Sequence, residues 1–138
     1  MKIMNFALLA GVAGLLASCG GSSIVEPADL NNQRVFFAFN SAEISDEAHD
    51  NLLGQSLYMK NHEGTKIQIA GNCDERGSTE YNLALGARRA NAAKAVLVED
   101  GVEASRISTI SYGKERPFVK GTGEEVWQYN RNATKTVK

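Results

Sequence analysis

Between Ile67 and Glu99 the apolar period changes from two to about 3.6 across a short stretch bounded by glycines. Ile67 and Ile69 alternate with polar neighbours in KIQIAG, so residues 66–71 read as a strand with both isoleucines inward. From about Thr79 to Glu99 the spacing reads as a helix, with Ser78 or Thr79 placed to cap it. Gly71 ends the strand and Gly77 precedes the helix, so the chain between them turns sharply. Strand-to-helix loops of this kind present functional groups, and the helix N-terminus offers free N–H groups to an anion. The loop holds a thiol beside an acid cluster, Cys73-Asp74-Glu75-Arg76.

The flanking segments extend this unit. VFFAF (35–39) reads as a buried strand with Val35, Phe37 and Phe39 on one face. Residues 45–62 read as a helix capped by Ser45, with Ala48, Leu52, Leu53, Leu57 and Met59 at helical spacing. RISTISYG (106–113) is a further strand, EEVWQYNRN (124–132) a short helix with its exit, and ATKTVK (133–138) a closing strand. The order β-α-β-α-β-(α)-β predicts an α/β (α+β) sandwich, one mixed sheet covered by helices on one face.

The chain's 138 residues suit one domain. Its formal net charge of −1 argues against a nucleic-acid partner. Residues 1–18 read as a leader: one lysine, then an apolar run too short to span a bilayer. The leader ends in Leu16-Ala17-Ser18-Cys19, similar to the lipobox of bacterial lipoprotein precursors. That likeness implies cleavage before Cys19 and acylation of it, which anchors a chain without a spanning helix. An ordinary secretory signal is the alternative. Residues 19–33, rich in Gly, Ser and Asn, read as the lipidated cysteine and a flexible tether, with the folded domain over 34–138. Cys73 is then the only remaining thiol, so no intramolecular disulfide is expected.

On the helix, at about 100° per residue from Leu85, Tyr81, Ala92 and Val96 form an apolar stripe, and Arg89 falls ~40° away, inside it. An arginine aimed at the packed side requires compensation. Either Asp74 or Glu75 pairs with it, or Asp74 and Arg89 stand apart and receive a zwitterion. In the second case the carboxylate takes an ammonium and the guanidinium a carboxylate.

VFFAFN, GNCDERGSTEYNLALGARRANA, SYGKERP and YNRN, in that order and spacing, resemble the OmpA-like peptidoglycan-binding domain family over residues 34–138. The resemblance implies a noncovalent receptor for the meso-diaminopimelate of the peptidoglycan stem peptide. Asp74 would meet the ammonium and Arg89 the carboxylate. Leu85 would line the pocket, Phe39 and Asn40 would form a wall, and Arg76, Asn82 and Arg131 would lie nearby. For lipid-anchored members it implies an outer-membrane protein facing the periplasm, which tethers membrane to wall within the Tol-Pal system and also binds TolB. A module that binds TolB with little direct wall binding is the alternative. The chain departs from the pattern in four places: Asn72-Cys73 replaces His-Ala, Asn40 replaces an acid, Ala38 replaces an acid, and Asn132 replaces an arginine.

An enzyme reading would take Cys73 as nucleophile with His49 or His62 as base. Both histidines read as solvated and Cys73 as a space-filling residue. No paired spacing suggests zinc, and no cofactor motif is present. Trp127 and Tyr129 read either as core or as a sugar-stacking pair.

Overall fold

The computed structural model describes residues 30–138. The expected leader, the lipidation site at Cys19 and most of the expected tether lie outside the described residues. Four strands form one mixed sheet: β1 (Arg34–Phe36), β2 (Ile67–Asn72), β3 (Ile107–Gly113) and β4 (Asn132–Val137). Their order is β1-β4-β2-β3. The β2–β3 pair is parallel, while β4 runs antiparallel to both β1 and β2. The helices are α1 (Asp46–Asn61), α2 (Thr79–Glu99), which connects the parallel pair, and α3 (Glu124–Asn130). Among the described residues no helix is long and apolar enough to cross a membrane.

The two long helices begin where the sequence places their caps. Ser45 Oγ accepts from Ala48 N–H, and Ser78 Oγ accepts from Tyr81 N–H, each satisfying an otherwise free donor. At the far end of α1, Arg106 donates to the carbonyls of Met59 and His62, both at 2.7 Å, and so ties the helix end to the chain entering β3. The core is one cluster between sheet and helices: Leu30, Val35, Phe37, Leu52, Met59, Ile67, Ile69 and Leu97 are all buried.

Three expectations are corrected. The strand expected over 35–39 stops at Phe36. Ser41 N–H bonds back to the Ala38 carbonyl and Asn40 adopts φ 57°, so the chain turns off the sheet and leaves Phe39 57% exposed. The packed chain begins by Leu30 rather than Arg34. Leu30 is fully buried, and Asn32 and Gln33 exchange backbone bonds of 2.7 and 2.9 Å with Lys135, continuing the pairing of β1 with β4. Within α1, Leu57 is 56% exposed, and Gln55, Ser56 and Tyr58 are buried instead.

Helix α2 is also rotated from the expected stripe. Its buried face is Asn82, Leu85, Gly86, Arg89, Ala90, Ala93 and Leu97, while Tyr81 is exposed. Small residues cause this. A Cβ on Gly71 would stand 1.7 Å from the Gly86 carbonyl oxygen, so the helix lies directly on the end of β2 through two glycines. That close approach brings the first turns of α2 against the loop after β2.

Candidate functional site

A cleft of about 370 Å³ opens where the β1–α1 turn, the β2–α2 loop and α2 meet. Seven of the eight residues named from the sequence as ligand-binding candidates line it: Phe39, Asn40, Asp74, Arg76, Asn82, Leu85 and Arg89. Cys73, Gly77 and Tyr81 also line it. Arg131, the eighth, stands behind Asp74.

Arg89 is 1% exposed, yet among the described residues it makes no ion pair. Its Nε donates to the Ser41 carbonyl at 2.8 Å, Nη1 to Asn72 at 3.0 Å and Nη2 to Ala38 at 3.0 Å. The expectation that only an anion could compensate this charge is therefore corrected: backbone carbonyls of the turn and of the β2 end do so. Burial, and the neighbouring Arg131, hold its pKa below the usual arginine value against the opposing influence of Cys73. A guanidinium has five N–H donors, so one on each Nη is left over.

Asp74 is 3% exposed, and its partner is not Arg89. Oδ1 accepts from Arg76 N at 3.0 Å and Nε at 3.2 Å, while Oδ2 accepts from Arg76 Nη2 at 2.7 Å and Arg131 Nη1 at 3.5 Å. Burial alone would raise the carboxyl pKa, but the Arg76 and Arg131 bonds outweigh it and keep the group ionised below the usual carboxylate range. Glu75 does not pair with Arg89 either; its Oε2 accepts from Trp127 Nε1 and Thr122 Oγ1, both at 2.7 Å. Acid and arginine thus line one cleft without bonding to each other.

Arg76 is held between two rings, 3.9 Å from the centroid of Phe39 and 3.9 Å from that of Trp127. Arg131 is fixed by a two-point bond to Glu124 at 3.0 and 2.8 Å, and by its Nε donating to the Phe37 carbonyl. Trp127 is accordingly half-buried against a cation, not a core residue. Asn82 donates to the carbonyls of Arg76 and Ser78 and so braces the loop. Glu124 was not legible as a site residue, and Trp127 only as one of a sugar-stacking pair. They lie about 50 positions from Asp74 in sequence, and no short-range spacing connects them.

The Cys73 thiol donates to the Asn82 carbonyl, and burial raises its pKa despite Arg89 nearby. A protonated, bonded thiol is a poor nucleophile. His49 and His62 are exposed and do not line the cleft. Two departures from the family pattern prove to be partners. Asn72 and Asn132 face each other across β2 and β4, and Asn72 Nδ2 donates to Asn132 Oδ1 at 2.9 Å.

Comparison with known proteins gives a consistent result. The sequence pattern of the OmpA family matches residues 36–131. The chain is 38% identical to the peptidoglycan-associated lipoprotein of Pasteurella multocida, with 96% of each chain covered. It is 40% identical to that of Mesorhizobium japonicum, over 99% of this chain and 80% of the other. The crystal structure of the peptidoglycan-associated lipoprotein from Burkholderia pseudomallei superposes with a TM-score of 0.75 at 39% identity, covering 77% of this chain and 90% of that one. The C-terminal domain of Helicobacter pylori MotB shares the fold with a TM-score of 0.72 at 19% identity, over 77% of this chain and 84% of that one.

Proposed function

The chain belongs to the OmpA family, grouping there with the peptidoglycan-associated lipoproteins, and on that premise we propose that it grips the cell wall through the Asp74–Arg89 cleft. The ligand is the diaminopimelate side chain of the stem peptide, a zwitterion. One observation carries the reading: a buried carboxylate and a buried guanidinium line the same cleft without neutralising each other. Arg89 keeps one N–H on each Nη for a carboxylate, because its other donors are spent on backbone carbonyls. Asp74 keeps its charge because Arg76 and Arg131 hold it ionised. The ligand ammonium then joins or displaces Arg76, whose stacking between Phe39 and Trp127 keeps it at the mouth. Leu85 supplies the apolar wall for the ligand's methylenes.

The role is binding, not catalysis. With Cys19 acylated, the domain links the outer membrane to the wall from the periplasmic side. TolB, as a partner, would meet the same mouth, where Phe39 and Tyr81 leave much of their rings exposed. The test is co-sedimentation of the full-length chain with purified peptidoglycan. Asp74→Asn and Arg89→Lys are each expected to weaken binding by about 2–5 kcal/mol while the circular dichroism spectrum is kept. Undiminished sedimentation of both variants would reject the cleft as the binding site. Cys19→Ser is expected to release the chain from membranes; retention after a high-salt wash would reject the anchor.

A further inference from the structure

The helices cover one face of the sheet, and the other face carries a groove of about 760 Å³. Its floor follows from register. Gln68, Ala70 and Asn72 of β2 lie opposite Thr136, Thr134 and Asn132 of β4, and strand alternation turns all six away from the core. The rim is cationic. Arg34 rises from β1, outermost on one side, with its guanidinium 3.6 Å from the centroid of Phe118. Arg116 follows β3, outermost on the other side, 3.7 Å from the centroid of Tyr112. Both are aligned by stacking, and no acidic side chain lines the groove.

Two buried polar atoms of this groove have no partner among the described residues: Arg34 Nε, a donor, and Asn72 Oδ1. The orientation of the Asn72 amide is set by a chain of bonds. Asn132 Nδ2 donates to the Tyr129 carbonyl, which leaves Asn132 Oδ1 to accept from Asn72 Nδ2 and Thr134 Oγ1. The free end of Asn72 is therefore an acceptor. Donors on opposite rims and an acceptor on the floor call for a ligand with separated carboxylates and an N–H between them. Three strand spacings put β1 and β3 ~14 Å apart, too far for one small carboxylate and within reach of an extended peptide.

We propose that the open face of the sheet is a second binding site, for an acidic peptide segment. The assignment is independent of the Asp74–Arg89 cleft, which lies on the helix side. Its occupant is a peptide whose carboxylates meet Arg34 and Arg116 and whose backbone N–H meets Asn72 Oδ1.

The probe is a fluorescein-labelled octapeptide of alternating alanine and glutamate, with glutamine replacing glutamate in the control. Anisotropy is read with the full-length chain in maltoside detergent at low salt. The glutamate peptide is expected to bind about tenfold more tightly than the control. Arg116→Gln, at an exposed position, and Thr136→Glu, which adds a negative charge to the floor, should each weaken it at least about fivefold. Asp74→Asn should leave it unchanged. Equal binding of both peptides, or binding insensitive to Arg116→Gln and Thr136→Glu, overturns the proposal. Binding lost with Asp74→Asn but kept with Arg116→Gln moves the peptide to the other cleft and overturns it. Capture of inorganic polyphosphate without the glutamate peptide does so as well. If Thr136→Glu lowers the melting temperature, Arg116→Gln decides alone.

Discussion

Lys135 lies at the centre of β4, opposite Ile69, and is 0% exposed. Its Nζ has no hydrogen-bond partner among the described residues. Burial lowers its pKa from 10.5 to about 7. The folded state thus releases a proton that the unfolded state keeps. Below pH 7 both states are protonated and the full penalty applies; between about 7 and 10.5 stability rises with pH; above that the penalty is gone. A shift of that size, at 1.36 kcal/mol per unit, corresponds to about 5 kcal/mol at low pH and about 4 kcal/mol at pH 7.5. Lys135→Met retains the chain length and removes the amine, so it should stabilise the fold by several kcal/mol at neutral pH. Urea unfolding of both proteins from pH 6 to pH 10 checks this. The difference in unfolding free energy should be flat below pH 7 and shrink by about 1.4 kcal/mol per unit above it. Parallel curves for the two proteins, or a less stable variant at pH 7.5, would refute the reasoning.

Gly86→Ala places a Cβ 2.3 Å from Ser111 Oγ and 2.9 Å from the Gly71 carbonyl oxygen, so it should destabilise by about 1–3 kcal/mol in urea unfolding. Gly54→Ala, in α1 with nothing within 4 Å of its new methyl, should instead stabilise by up to about 1 kcal/mol in the same assay. Cys73→Ala loses one bond to the Asn82 carbonyl and should sediment with peptidoglycan within about twofold of the wild type. Wall binding should also persist as pH falls through the ordinary aspartate pKa of about 3.9, because Asp74 stays charged below it; loss of binding well above that value would contradict the Arg76 and Arg131 assignment.

Much of this molecule was legible in its residues, for identifiable reasons. The helices over 46–61 and 79–99 are marked by Ser45 and Ser78, whose side chains do cap them. The strand before the loop is marked by the alternating Ile67 and Ile69, both of which are buried. Asp74 and Arg89 stood out because an acid in a glycine-bounded loop and an arginine inside an apolar stripe each require a structural reason. What compensates Arg89 was not legible, since backbone carbonyls carry no sequence signal. The face of α2 was misjudged because Gly86 and Ala90 look neutral in a hydrophobic pattern, though small size is what lets the helix reach the sheet. The buried Lys135 was hidden for a related reason. Ala-Thr-Lys-Thr-Val has no plainly apolar alternation, and only register against β2 shows which side faces the core.

The central claim is that the cleft reads both charges of a zwitterion, and calorimetric titration with soluble muropeptides tests it most directly. The pair to compare carries diaminopimelate or lysine at the same stem position, since lysine keeps the ammonium and lacks the carboxylate that Arg89 would meet. The account predicts that the diaminopimelate muropeptide binds at least about tenfold more tightly, and that Arg89→Lys removes most of the difference. Equal affinity for the two muropeptides in the wild type would contradict it.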